Sequence, residues 1–357
     1  MPTSSQSYPM NGGDDQHSYI HNSSYQKSAI DGIEEKTRQY ILKKLDILNL
    51  NPDLKTFTIV DFGCSSGPNT FHAVQNIIDA VKLKHLNKNK ENGVLPLEFQ
   101  VCFNDLPNND FNTLFKTQPP SSEREYFSLG VPGSFYGRVL PRNSVHIGLT
   151  SYTTQWLSKV PEQVYDKKSP AWNKTYIQCN NLIEEVTKAY KVQFTKDMKI
   201  FLEARAQELV PGGLMIALGQ CVPDGVYMYE TWPGILMDII SDCLLDIAKS
   251  GVTTVEKIEL FNLPVYFPLY SELMGAIEQN KKFTIEMMET ASHAMQLTND
   301  FITSMFRAVL STIIENHFGD GVVDELFDQV SKKLSKQPID FEKCKEHMVY
   351  HVVLKRQ

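Results

Sequence analysis

The sequence predicts an α/β fold, a mostly parallel sheet with a largely helical segment inserted before its last strand. Three observations carry this. β-Branched or apolar runs at Thr56–Asp61, Leu97–Asp105, Val145–Thr150 and Gly213–Gly219 are interleaved with helical patterns at Thr70–Leu86 and Phe194–Glu208. A glycine-containing turn, GCSSGPN, joins the first run directly to its helix. From Val222 to Val330 the pattern is mostly helical, and a final strand follows at Met348–Leu354.

The elements follow in order. The first twenty or so residues are polar; then Ser23-x-x-Gln26 reads as a capping box, with Ile30, Ile33, Tyr40, Ile41 and Leu45 behind it at broadly helical spacing. Asn51-Pro52-Asp53 is a break. Thr56–Asp61 is apolar and β-branched, as a strand buried on both faces should be. Pro68 suits the first position of the next helix, whose apolar residues are Phe71, Val74, Ile77, Ile78 and Val81. Asn87–Gly93 is a polar, charged loop. With Leu97–Asp105 this makes a βαβ unit, whose strands run parallel through a right-handed crossover. A short helix is expected around Asp110–Phe115, then a Pro/Ser/Glu loop. The Val145–Thr150 strand runs into SYTTQWLSKVP. Later helices are expected at Ile235–Ile247, Leu273–Glu278 and Asp300–His317.

Composition bounds the function. The chain has 357 residues, 42% hydrophobic and 22% charged, which fits a globular protein with a sizeable core. A net charge of -7, with no Lys/Arg block, argues against a nucleic-acid grip. Apolar runs fall far short of the ~18 residues that span a bilayer. The N-terminus lacks the apolar stretch of a secretory signal, so a cytoplasmic location is expected. The six cysteines form no C-x-x-C pair, which leaves a zinc site or a disulfide framework without support.

Ligands of an open α/β sheet bind beyond the carboxyl ends of its strands, so the loops after Asp61, Asp105 and Thr150 are the candidates. In the first, Gly63 and Gly67 are four apart, which is not G-x-G-x-x-G; a tight turn and a cofactor loop are both open. In the second, Asp105 can accept ribose hydroxyls, or serve as a helix N-cap or Asx-turn residue. In the third, Tyr152, Gln155 and Trp156 would share one face of a helix, either as a polar-tipped aromatic wall or as a packing face. His146, inside a strand, reads as structural. No Ser-His-Asp or Cys-His order can be assembled from sequence alone.

Together these loops resemble the plant SABATH-type S-adenosylmethionine-dependent methyltransferases, named for salicylic acid, benzoic acid and theobromine enzymes. The resemblance runs almost end to end. It rests on MNGGD at Met10, DFGCSSGPNT at Asp61–Thr70, FNDLPNNDFN at Phe103–Asn112, GVPGSFYGRVLPRNS at Gly130–Ser144, SYTTQWLSKVP at Ser151–Pro161, ARAQELVPGG at Ala204–Gly213 and FNLPVY at Phe261–Tyr266. It implies a Rossmann-like class I methyltransferase sheet, residues 1–221 plus 345–357, that binds S-adenosylmethionine. A mostly helical cap at 222–344 would bind the acceptor. It implies Tyr19, Ser23, Asp61, Cys64, Asn69, Asp105, Leu106, Ser134 and Phe135 around the cofactor. Gln26 and Trp156 would donate to an acceptor carboxylate, with Tyr152, Gln155, Met237, Tyr266 and Phe306 as pocket walls. It further implies a homodimer, and Mg2+ near Asn173, Glu259, Phe261 and Asn262.

The implied reaction is in-line methyl transfer to the carboxylate of a small acid, giving a methyl ester. A carboxylic acid with a pKa near ~4 is ionised at neutral pH and needs no general base. N-methylation of a xanthine-type purine is the alternative. Gln26 is claimed twice, as a carboxylate donor and as the partner of Ser23 in the capping box.

Overall fold

The computed structural model describes residues 9–46, 55–88, 97–292 and 295–357. The expected break at Asn51-Pro52-Asp53 lies outside the described residues, as does most of the expected loop at Asn87–Gly93. In chain order the elements are α1 (Ser24–Lys44), β1 (Thr56–Phe62), α2 (Asn69–Lys88), β2 (Glu98–Asp105), α3 (Phe111–Thr117), β3 (Tyr126–Pro132) and β4 (Val145–Ser151). Then come α4 (Glu184–Glu208), β5 (Leu209–Cys221), α5 (Trp232–Lys249), α6 (Val255–Glu259), α7 (Tyr270–Glu278), β6 (Phe283–Ser292), α8 (Asn299–Phe318), α9 (Val322–Lys336) and β7 (Met348–Arg356).

The sheet has seven strands in the order β3-β2-β1-β4-β5-β7-β6. β7 runs antiparallel to both of its neighbours, β5 and β6, while β1 to β5 pair in parallel. β1 and β4 are buried along nearly their whole length, which explains their unbroken apolar sequences. Successive side chains enter opposite layers. Ile59 and Leu214 join a cluster with residues of α1, α2, α5 and α8, whereas Val60 and Met215 join one with α4 and α7.

The structure departs from the sequence reading in particular places. β3 and β6 are both edge strands, and the sequence reading had neither; an edge strand faces solvent along one side and loses the apolar signature. In β3 only Tyr126 is buried, and Phe127 is 63% exposed. β6 lies within the segment expected to be a mostly helical cap, yet it pairs with β7. α4 begins ten residues before the expected Phe194, because Val186 and Tyr190 extend its buried face. Residues 152–156 are a loop rather than a helix; Tyr152 has φ +58°, which helical geometry excludes.

His146 closes the ladder where β1 and β4 diverge. Its Nδ1 accepts the Thr58 N–H at 2.9 Å, and its ring stacks on Phe57 at 4.7 Å. Burial pushes its pKa down to about 4. An unfolded chain's histidine titrates near ~6.5, so between these values the unfolded state binds more protons. The contribution of neutral His146 is therefore complete above about 6.5 and is lost as pH falls. Urea unfolding should show wild type losing roughly 1–2 kcal/mol relative to His146→Phe between pH 7.5 and pH 5.

Candidate active site

β1 lies between β2 and β4, and the chain's connections leave it in opposite directions at this point. The loops beyond the two strand ends therefore diverge and leave a crevice. Three adjoining cavities of about 140, 80 and 30 Å³ fill it, and Tyr19 lines all of them. The 140 Å³ cavity holds Asp105, Leu106, Ser134 and Phe135; the 30 Å³ cavity holds Asp61, Cys64 and Asn69. Gln26 stands between the small cavity and the 80 Å³ one, and Tyr152 and Trp156 between the two larger ones.

The glycine turn is dictated by close approach. Gly63 has φ +86°, and a Cβ there would lie 2.1 Å from the Thr153 side chain. The N–H groups of Gly63 and Cys64 both donate to the Asn104 carbonyl, at 2.8 and 3.0 Å, locking the turn onto β2. Asp61, the last residue but one of β1, is almost fully buried. One carboxylate oxygen accepts the Thr70 hydroxyl at 2.5 Å, and the other has no partner among the described residues. Burial pushes its pKa up to about 7, against the Thr70 hydrogen bond and with the Asp105 charge adding to the rise. Asp105 accepts the N–H groups of Ser65 at 2.7 Å and Leu106 at 2.8 Å; burial pushes it up to about 6. The helix-capping role weighed for Asp105 belongs instead to Asp110, which accepts from the Thr113 N–H at the start of α3. Asn69 donates to the Ser23 carbonyl at 2.9 Å, tying α2 to the start of α1. Ser23 is buried and lines none of the three cavities. Burial raises the Cys64 thiol well above its ordinary range, so it stays neutral. An orphaned buried carboxylate oxygen next to a glycine cradle suits a ligand that carries a cation and hydroxyls.

The loop from Gly133 to Leu140 walls the large cavity and is held by a buried ion pair. Arg205 and Glu208 are both 0% exposed and lie 2.6 Å apart. Arg205 donates to the carbonyls of Phe135 at 2.6 Å and Gly137 at 2.9 Å, and its guanidinium sits 4.0 Å above the Phe62 ring. Glu208 accepts the N–H groups of Val139 and Leu140, at 2.6 and 3.0 Å. The ARAQEL block thus holds this loop directly, and Phe135 packs on Phe201 of the same helix at 5.8 Å.

The 80 Å³ cavity is largely aromatic and amide-lined, and Gln26, Tyr152, Gln155, Trp156, Met237 and Phe306 all reach it. The capping box does not form. Ser23 makes no side-chain cap bond, and the Gln26 Oε1 is buried without a partner among the described residues, which leaves that side chain to the cavity. Gln155 donates to the Tyr152 carbonyl at 2.8 Å, and its Oε1 and the Tyr152 hydroxyl also lack a partner among the described residues. Tyr152, Gln155 and Trp156 converge although no helix arranges them; the positive φ of Tyr152 does so. Tyr266 is the exception. Its hydroxyl donates to Glu272 at 2.8 Å and its ring packs near Tyr190 and Phe194, outside the cavity wall. Sequence reading missed Tyr25, Gln220 and Trp232, which also line this cavity. Tyr25 adjoins Gln26 in sequence, but nothing local marks Gln220 or Trp232, which start from distant elements.

The residues implied for Mg2+ present only part of its ligand set. Asn173 donates its amide to Asn262 Oδ1 at 2.7 Å, while Asn173 Oδ1 is buried without a hydrogen-bond partner among the described residues. Glu259 is the only carboxylate of the set, and it pairs with Lys167 at 2.5 Å. Magnesium prefers oxygen donors in a near-octahedral shell, and a neighbouring ammonium opposes it.

A sheet of this order with such a crevice defines a Rossmann-like methyltransferase fold. The chain belongs to the SAM dependent carboxyl methyltransferase family, whose model matches residues 5–357. It is 76% identical to a probable S-adenosylmethionine-dependent methyltransferase of Arabidopsis thaliana, over 100% of both chains. It is 44% identical to paraxanthine methyltransferase 2 of the same plant, over 99% of each. The structure of a loganic acid methyltransferase with SAH superposes with a TM-score of 0.92 at 42% identity, covering 98% of this chain and 99% of that one.

Replacing Asp105 with Asn should weaken S-adenosylhomocysteine binding by roughly tenfold or more, since hydrogen bonds to a charged group contribute about 1.5–3 kcal/mol. Calorimetry checks this; unchanged affinity with lowered stability would assign Asp105 to the turn alone.

Proposed function

We infer that this methyltransferase esterifies a small carboxylic acid, transferring a methyl group to the carboxylate oxygen. One observation carries the reading: the described wall of the 80 Å³ cavity holds no Asp, Glu, His, Lys, Arg or Cys. Its tyrosines Tyr19, Tyr25 and Tyr152 are all raised above their ordinary range, chiefly by burial, and stay protonated. A purine N–H must lose its proton on methylation, and this wall offers no base to take it. A carboxylate arrives deprotonated and asks only for orientation, which can be worth roughly 7–11 kcal/mol.

In this reading residues 1–221 plus 345–357 hold S-adenosylmethionine and much of 222–344 closes over the acceptor. When bound, the cofactor presents an electrophilic methyl on a sulfonium; the new O–C bond forms as the C–S bond breaks. Asp61 and Asp105 hold the cofactor's cationic and hydroxyl-bearing parts, and Phe135 covers its ring. The Gln26 amide and the Trp156 indole N–H hold one carboxylate oxygen, leaving the other free to attack. Neutral donors suit this better than Arg, because a full countercharge would stabilise the ground state as much as the transition state. With a net charge of -7, the protein draws the anionic acceptor in by local donors and apolar walls rather than by its overall field.

The xanthine alternative is favoured by the paraxanthine relative, whose 44% identity stands beside the 42% of the loganic acid enzyme. Identity does not choose between them. With methyl-labelled cofactor, an iridoid, terpenoid, benzenoid, fatty-acid-derived or indole acid should yield a base-labile methyl ester. Label in a xanthine and in none of the acids would overturn the reading. Gln26→Ala should lower kcat/KM for the acid by roughly ten- to a hundredfold, with the unfolding transition unmoved. Lost stability with unchanged kinetics would return Gln26 to a structural role.

A further inference from the structure

The wall of the 80 Å³ cavity holds hydrogen-bond acceptors that a carboxylate cannot satisfy. Gln155 lines this cavity and is 8% exposed. Its Nε2 donates to the Tyr152 carbonyl at 2.8 Å. A carbonyl only accepts, so turning the amide over would set two oxygens against each other. The Gln155 Oε1 is thereby fixed as an acceptor, and it has no partner among the described residues. The Gln26 Oε1, on the same wall, is a second acceptor in the same condition.

The backbone holds Gln155 in this attitude. Its carbonyl accepts the Tyr266 N–H at 2.9 Å, Trp156 and Val265 form an antiparallel bridge, and Leu157 donates to the Pro264 carbonyl at 2.7 Å. Tyr152 is anchored as well, through its N–H to the Leu218 carbonyl at 2.8 Å. The Oε1 is therefore presented by a segment tied both to β5 and to residues 264–266. Much of the remaining wall is apolar, with Met237, Val265, Phe267, Met305, Phe306 and Leu310.

A buried polar atom without a partner is costly, and a site that supplies one half of a hydrogen bond rejects ligands that lack the other half. A carboxylate brings acceptors only, and a hydrocarbon body brings neither donor nor acceptor. We propose that the acceptor is a carboxylic acid with an O–H or N–H donor away from its carboxylate, and that Gln155 Oε1 is the atom that selects it. This rests on the acid reading above and narrows it. Hydroxylated acids and indole acids fit the wall; plain fatty or terpenoid acids leave the Gln155 oxygen unpaired.

The test measures kcat/KM with labelled cofactor for matched acids that differ in one donor. The pairs are benzoate against its 3- and 4-hydroxy forms, a medium-chain fatty acid against its terminal hydroxy form, and an indole acid against its benzothiophene analogue. In the wild type at least one donor-bearing acid should be preferred by about tenfold or more. Gln155→Met and Gln155→Leu, which fill similar space without an acceptor, should bring that pair close to parity. Calorimetry should give both variants the wild-type affinity for S-adenosylhomocysteine, since Gln155 lies outside the cofactor wall. Parity in every wild-type pair, or preference for the plain acid, overturns the proposal whatever the variants do. A preference that survives unchanged in both variants also overturns it, by placing the selecting atom elsewhere. The two readings fail differently: esters formed without donor preference sink this proposal alone, whereas no ester from any acid removes the carboxylate reading and this one with it.

Discussion

Everything in the site follows from the reversal of strand order at β1. Because β2 lies on one side of it and β4 on the other, the loops after β1 and β4 are carried apart. Only there can a ligand reach the strand ends without displacing a connection. The residues closest to that gap, Asp61, Gly63 and Tyr152, are accordingly the ones held in costly states. Asp61 is a buried carboxylate, Gly63 fits only without a Cβ, and Tyr152 has a positive φ. Sparsely populated backbone at a non-glycine residue costs on the order of 1–3 kcal/mol, and it persists only where the surroundings enforce it.

The Arg205–Glu208 pair solves a related problem on the other face of the sheet. Removing both charges from water carries a large desolvation cost, which mutual attraction alone does not always offset. Here each partner gains two backbone hydrogen bonds from the same loop, and Arg205 also stacks on Phe62. The pair therefore does more than fill space. It converts a loop rich in exposed residues into a fixed wall, and this is what lets a short segment serve a binding site.

The described wall of the 80 Å³ cavity carries no formal positive charge, so its own contribution to recognition comes through neutral donors, each of modest strength. The orphaned oxygens of Gln26 and Gln155 and the Tyr152 hydroxyl also show a wall whose hydrogen bonding is incomplete without an occupant.

The central strands, the glycine turn and the helices between them were legible in the sequence, because burial on both faces writes itself as unbroken apolar runs. Asp61 and Asp105 were legible for a similar reason: a strand-terminal acid beside glycine has few alternatives. β3 and β6 were not, since these edge strands lie largely outside the core and resemble loops. Nor were the wall positions of Gln220 and Trp232, or the exclusion of Tyr266. Those depend on how a helix seats on the sheet, and that is settled by packing between segments distant along the chain, such as Tyr190 and Phe194 against Tyr266. The capping box of Ser23 and Gln26 shows the division most sharply. Local spacing permits it, but the tie from Asn69 to the Ser23 carbonyl and the pull of the cavity take Gln26 elsewhere. Sequence by itself determined the family, the central strands and the acids at their ends. Tertiary structure alone decided which polar atoms remain unpaired in the 80 Å³ cavity, because hydrogen-bond satisfaction is a property of the assembled surroundings and not of spacing along the chain.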